Sequence, residues 1–310
     1  MASVLKLSEI PTLTRLYRSG VLRSSRQPVV TTPSKVINDI ISHIKHDITE
    51  LEVGCIVNAA NRSLLGGGGV DGAIHSAAGP QLYEECLTLD GCETGHAKIT
   101  NGYELPAEKI IHAVGPIYVR AKHDEAEQQL RGCYRRSLEL AVQHGQRSIA
   151  FSAISTGVYG YPNTEAATAA IDEVRKFLNS GDNLSKFDRV IFCSFMTVDL
   201  LAYERILPAY FPPVTEELDA TEENQGNQTQ DDTVIVDKSE SEVDLGFDTG
   251  DEHDWEEISE ADNGHEDFQE ELVQIGQADQ EASVADVRSM QSSTADFDDL
   301  TGPAEANGQK

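Results

Sequence analysis

The 310-residue chain is predicted to hold one α/β domain whose sheet is covered on both faces, followed by a long acidic segment. Three observations carry that prediction. From Val36 onward, short β-rich runs alternate with helical patterns. The strand runs are apolar almost without interruption, as strands buried on two faces are. Composition then changes abruptly near residue 213: residues 214–310 hold 30 Asp and Glu against three Lys and Arg. They therefore carry −27 of the formal −29, and the front part is nearly neutral.

The elements follow in order. Residues 1–35 form an N-terminal segment. Its first 28 residues contain Lys6, Arg15, Arg18, Arg23 and Arg26 against Glu9 alone. They read as an amphipathic arm docked on the domain through Leu5, Ile10, Leu13 and Leu16, with Pro11 breaking any continuous helix. The same Arg- and Ser-rich, acid-poor composition is that of a mitochondrial targeting segment. The domain spans residues 36–213. "DIISHIKHDI" ends in an extended segment, and "GCIVNAAN" (54–61) is a buried strand running into a turn. "AIHSAAGPQLYEEC" is helical and broken at Gly79-Pro80. "AKITNGYEL" and "KIIHAVGPIYV" are two strands joined through Pro106. Over 124–144, Leu130, Tyr134, Leu138 and Val142 recur at helical spacing. "RSIAFSAI" is a strand, 164–179 a helix, "DRVIFCSFM" a strand and 199–208 the last helix. Pro208, Pro212 and Pro213 close the domain, so removal of everything after Tyr210 or Phe211 is expected to leave its melting unchanged.

Residues 214–310 contain too little apolar surface to offset the entropy of ordering, and disorder is expected there. Their charge argues against direct contact with nucleic acid or anionic membranes and favours basic partners. No apolar run approaches the roughly 20 residues of a membrane span, and no secretory apolar core is apparent. Cys55, Cys86, Cys92, Cys133 and Cys193 show no C-x-x-C pair or zinc-finger spacing. They read as reduced thiols of a cytoplasmic or nuclear protein, with no metal centre.

In sheets of this class, ligands bind beyond the carboxyl ends of strands. Two loops fit that position: "NAANRSLLGGGGVDG" and "AISTGVYGYP" (153–162). Both offer unhindered N–H groups beside a helix start, which suits phosphate. Gly67-Gly68-Gly69-Val70-Asp71-Gly72 satisfies the G-x-G-x-x-G pattern of dinucleotide folds. That reading needs an acid at a strand end about 20 residues later; Asp90 and Glu93 lie instead in the turn-like "LTLDGCETG". No Lys-Ser/Thr follows the glycines, and no G-x-S-x-G elbow is present.

"IVNAAN", "LLGGGGVDGAIHSAAGP", "KITNGYELP", "IIHAVGP" and "AISTGVYGYP", in that order and spacing, resemble macrodomains of the MacroD type over about residues 36–211. "LSEIPTLTRLY" is similar to segments that precede that domain. The resemblance implies a three-layer α/β/α sandwich on a mixed central sheet and ADP-ribose as ligand. It implies hydrolysis, without a cofactor, of ADP-ribose esters on acidic side chains of proteins and of O-acetyl-ADP-ribose. A non-catalytic ADP-ribose reader is the alternative that Asp71 together with Asn61 argues against, since binding-only relatives can lack the pair; an ADP-ribose 1''-phosphate phosphatase would use the same pocket.

The resemblance also implies roles. Asp47, next to Ile48, accepts from the adenine amino group, and Phe195 forms the adenine wall. Asn61 binds the distal ribose hydroxyls. Gly66, Gly67, Gly68, Gly69 and Val70 wrap the ribose and phosphates, some with positive φ. Ser155, Thr156, Gly157, Val158 and Tyr159 close from the other side, with Tyr159 against the distal ribose. Asp71 orients or deprotonates the attacking water, or positions it for the substrate's own phosphate. His75, four residues on and on the same helix face, orients Asp71. Without the resemblance, Asp47 would cap a turn, Phe195 would be core, Asn61 would support a turn and His75 would be a buried side chain. Asp71 would sit in a first helical turn, where negative charge is stabilised by about 0.3–1 kcal/mol, and is expected to be ionised. Gly54 stands where the family usually has an acid; a local loop difference without loss of activity is expected.

In the acidic segment, Trp255 and Ile258 in "DEHDWEEISE" resemble motifs that add a strand to ubiquitin-like autophagy proteins. Val234, Ile235 and Val236 in "DDTVIVDKSESE" resemble a SUMO-interacting strand. Patterns this short also arise by chance in acidic sequence. The protein is expected to be a monomer.

Overall fold

A computed structural model describes residues 4–214 of the chain. The acidic segment, with Val234, Ile235, Val236, Trp255 and Ile258, lies outside the described residues. In chain order the strands are β1 (Leu5–Lys6), β2 (Ile41–Lys45), β3 (Leu51–Glu52), β4 (Cys55–Ala60), β5 (Ala97–Asn101), β6 (Lys109–Val114), β7 (Ser148–Phe151) and β8 (Arg189–Ser194). The helices are α1 (Leu13–Arg18), α2 (Lys35–Asn38), α3 (Gly69–Ala78), α4 (Pro80–Leu87), α5 (His123–Gln143), α6 (Asn163–Leu178) and α7 (Thr197–Tyr210).

Six strands form one mixed sheet in the order β2-β8-β7-β4-β6-β5. Only β5 runs antiparallel to its neighbour in that sheet; the other pairs are parallel. The apolar runs read from the sequence divide between two cores because side chains alternate across a strand. On one face, Val57, Ile111, Phe151 and Phe192 pack with residues of α1, α5, α6 and α7. On the other, Ile56, Ile110, Ala150 and Ile191 pack with residues of α3 and α4. The result is the three-layer α/β/α sandwich. Among the described residues all five cysteines are free thiols, and no helix is long and apolar enough to cross a membrane.

The N-terminal segment is built into this frame. Pro11 precedes α1, whose first turn is capped by Thr12 Oγ1 accepting from Arg15 N. Leu13, Tyr17 and Leu22 enter one core, and Ile10 enters the other. β1 pairs in parallel with β3, a two-stranded sheet that periodicity over two residues could not reveal. Gly54 is also more than a loop difference. Its N–H donates to Ser148 Oγ at 2.8 Å, and a Cβ there would lie 2.9 Å from the backbone oxygen Ser148 O and would displace the Gln146 side chain. An acid at this position needs the start of β7 to shift.

The carboxyl end of the domain differs from the sequence reading. α7 continues past Pro208 to Tyr210. Phe211 is fully buried, and its carbonyl accepts from Tyr17 Oη at 2.7 Å. Asn38 Nδ2 donates to Pro212 O at 3.0 Å. A cut after Tyr210 therefore removes core. A chain ending at Tyr210 is expected to lose about 3–5 kcal/mol, the usual cost of deleting a buried Phe side chain. A chain ending at Val214 is expected to melt as the full chain does. Urea or thermal melting of the two truncations checks both outcomes.

Candidate functional site

The strand order puts the carboxyl ends of four adjacent parallel strands, β2, β8, β7 and β4, along one edge of the sheet. Strands spaced by about 4.8 Å make this edge roughly 14 Å long. Each predicted site segment leaves from one of these ends.

The loop after β4 is pinned by Asn61. Its Oδ1 accepts from Ser63 N (3.0 Å), Ser63 Oγ (2.7 Å) and Leu64 N (3.1 Å), and its Nδ2 donates to Gly66 O (2.7 Å). The asparagine thus supports a turn, and one Nδ2 hydrogen remains for a ligand. Gly66 (φ +87°) and Gly69 (φ +63°) occupy the left-handed region, whereas Gly67 and Gly68 do not. What Gly68 supplies is space: a Cβ there would meet nothing within 4 Å. Gly72 is needed for contact, because its Cβ would strike Gly67 O. The loop therefore lies directly on the first turn of α3. Gly68 caps that turn without a side-chain acceptor, so its amides stay open as donors.

Asp71 lies in that turn and is only 3% exposed. Its Oδ1 accepts from Asn58 Nδ2 at 2.6 Å. His75 Nε2 stands 3.6 Å from the same oxygen, beyond hydrogen-bond range, and has no other partner. Asn58, absent from the predicted site, is thus the group that holds Asp71 directly, while His75 stands off. Burial raises the Asp71 pKa above its ordinary value, and the Asn58 bond and His75 only partly offset this. Burial likewise lowers the His75 pKa, against the pull of Asp71, which favours a neutral ring. A polar residue inside the apolar run "CIVNAAN" was the available signal for Asn58.

The loop after β7 faces this one, since β7 and β4 are paired through Val57 and Phe151. Ser155 has φ +68°, and its buried Oγ has no hydrogen-bond partner. The loop is closed by Tyr161 N donating to Ser155 O and Gly160 N donating to Gly157 O, both at 2.9 Å. A Cβ on Gly157 would enter open space. Val158 is exposed and Thr156 half-buried. Burial and the negative charge of Asp71 both raise the phenol pKa of Tyr159, so the two loops bring Tyr159 and Asp71 into electrostatic contact.

The other end of the edge is set by β2 and β8. Lys45 pairs with Ser194, so Asp47 and Phe195 leave neighbouring strands just past the last register pair. Asp47 does cap a turn: Oδ1 accepts from Thr49 N (2.9 Å) and Thr49 Oγ1 (2.7 Å), and both bonds fall on that one oxygen. The Ile48 side chain is buried in the core. Phe195 is 68% exposed and is not core. Val70, at the start of α3, is partly buried beside the second core.

A family model described as "Macro domain" matches residues 57–170. The chain is 50% identical over 209 residues to "ADP-ribose glycohydrolase MACROD2" of Xenopus laevis, a match covering 66% of this chain and 49% of that protein. It is 53% identical over 178 residues to "ADP-ribose glycohydrolase MACROD1" of Rattus norvegicus, covering 57% of this chain and 68% of that protein. The match thus spans about half of the frog relative and about two thirds of the rat one. A solved structure of a Trypanosoma brucei macrodomain in complex with ADP-ribose superposes with a TM-score of 0.55 at 38% identity, covering 66% of this chain and 77% of that one.

The two glycine environments differ in a way that melting can read. Gly72→Ala is expected to cost about 1–3 kcal/mol, as overpacking does, because Gly67 O must move. Gly68→Ala is expected to melt like the parent chain.

Proposed function

As the chain belongs to the Macro domain family, we propose that its groove binds ADP-ribose and that it hydrolyses ADP-ribosyl esters. The substrates are mono-ADP-ribosylated acidic side chains of proteins and O-acetyl-ADP-ribose. The observation that carries this reading is Asp71: a carboxylate buried at an uncapped helix start, held on one oxygen and flanked by two loops of open amides.

The ligand follows the sheet edge. Adenine lies between the unused Oδ2 of Asp47 and the exposed ring of Phe195. The diphosphate lies between the amides of Gly66–Val70 and those of Ser155–Tyr159, so its charge meets backbone dipoles. The distal ribose takes the second Nδ2 hydrogen of Asn61 and packs under Tyr159. Its ester then stands beside Asp71.

In the reaction, Asp71 removes a proton from water as the water oxygen bonds to the acyl carbon. The ribose oxygen leaves and takes a proton, giving a free carboxylic acid and a ribose hydroxyl. If the substrate's phosphate acts as the base, Asp71 still positions the water. An ester on the anomeric carbon can also open at that carbon, which is the bond a glycohydrolase breaks. Hydrolysis in ¹⁸O-water separates the routes: label in the released carboxylate means acyl attack, and label in ADP-ribose means anomeric attack.

Asp71→Ala is expected to reduce turnover of a glutamate-linked mono-ADP-ribosyl peptide by roughly 10²–10⁴-fold, with ADP-ribose affinity by calorimetry nearly unchanged. Unchanged turnover would remove Asp71 from the mechanism. Gly68→Glu is expected to abolish ADP-ribose binding without lowering the melting temperature, since it places a carboxylate in open space where the diphosphate sits. Because the charged form of Asp71 is required and burial raises its pKa, activity should fall as pH drops, with a midpoint above 3.8. A rate that holds constant below that value would show that no carboxylate acts as the base.

A further inference from the structure

The side chains behind Asp71 form a buried hydrogen-bond chain whose direction can be read without observing hydrogens. Asn58 on β4 and His112 on β6 occupy directly paired positions, and both are fully buried. Asn58 Nδ2 is 2.6 Å from Asp71 Oδ1 and 3.1 Å from His112 Nδ1, whereas Asn58 Oδ1 has no hydrogen-bond partner. Reversing the amide would set its carbonyl oxygen against a carboxylate oxygen. The nitrogen therefore faces Asp71, and its two hydrogens have two acceptors, Asp71 Oδ1 and His112 Nδ1.

A ring nitrogen that accepts carries no proton. His112 is then neutral with its proton on Nε2, in keeping with a pKa that burial lowers to about 3. Nε2 lies 2.9 Å from Thr100 Oγ1 and donates to it. The Thr100 hydroxyl in turn donates to Asn101 O at 3.2 Å. Every donor in this chain has one acceptor, and every link runs in a compatible direction.

We infer that His112 is a positioning residue for Asp71: its Nε2–H tautomer, with Thr100 as acceptor, takes the second Asn58 hydrogen, holds Asn58 as the donor to Asp71 Oδ1 and reserves Oδ2 for the reacting water. Oδ2 faces the glycine loop, since a Cβ on Gly67 would lie 3.2 Å from it. This rests on the hydrolase reading of the groove.

The same tautomer decides between two uses of the cluster. His75, Cys86 and His112 each bring one donor atom within 4.8 Å of the others, a spacing that could suit a metal ion. The His112 atom near Cys86 Sγ, at 3.8 Å, is Nε2, and a protonated nitrogen is not a ligand. Burial also pushes the Cys86 thiol up to about 12, so it is not a thiolate at neutral pH. A metal would need His112 in the other tautomer, which would withdraw Asn58 from Asp71.

The experiment combines nitrogen NMR of ¹⁵N-histidine-labelled protein with kinetics. His112 is expected as the neutral Nε2–H form across neutral pH; the Nδ1–H form would overturn the inference. Thr100→Val removes the acceptor of the His112 Nε2 proton. It is expected to lower kcat about tenfold, the scale of a lost outer-shell partner, with KM and ADP-ribose Kd nearly unchanged and with mixed tautomers in the spectrum. His112→Leu is expected to lose more kcat, and His112→Asn, whose Oδ1 can stand where Nδ1 does, to recover most of it. Wild-type kcat in Thr100→Val with a mixed tautomer would sink the inference, even if His112→Leu fails to fold. A parent chain that does not hydrolyse the ester would instead defeat the hydrolase reading and leave the tautomer result standing.

Discussion

The Asp71 carboxylate sits almost out of water, and the structure around it is organised by that fact. A buried carboxylate without a donor costs several kcal/mol. Asn58 meets this need with a bond of 2.6 Å, and the register of β4 and β6 sets His112 beside it. One residue of slip between them would put Asn58 and His112 on opposite faces of the sheet. The site thus depends on strand pairing in the middle of the sheet as much as on its loops.

Around this bond, charge is kept scarce. His75 and His112 are both pushed toward the neutral form by burial, and the Tyr159 phenol is pushed upward by burial and by Asp71 itself. A single ionisable carboxylate then dominates the local field. The two loops offer backbone amides that are already oriented, so the ADP-ribose proposed here would need no side-chain cation to be desolvated and ordered.

The glycine run shows how one residue type serves different constraints. Gly66 and Gly69 are required by positive φ. Gly68 leaves room above the loop, and Gly72 lets α3 touch it. The two ends of the domain answer a separate need: Tyr17 and Phe211 tie them to each other, while Arg189 reaches Ile10 O at 2.8 Å. They cover the β2 side of the sheet, beside the end from which Asp47 and Phe195 leave.

The order of strands and helices, the two glycine-bearing loops at the strand ends and the place of Asp71 in a first helical turn were legible in the sequence. Each is written in local pattern: continuous apolar runs, helical spacing through Leu130, Tyr134 and Leu138, and glycines crowded before a helix. Phe195 was legible only through family likeness, because exposure is not a property of a phenylalanine but of what covers it. Asn58, His112 and Thr100 come together from three strands, and nothing local to any of them names the others. Gly54 and Gly72 are demanded by neighbours distant in the chain or folded back upon it, and Phe211 belongs to the core because Tyr17 reaches it. Local periodicity and turn chemistry decided the elements. Register, burial and the direction of the hydrogen bonds behind Asp71 were decided by the tertiary structure, because each depends on atoms that only the folded chain brings within reach.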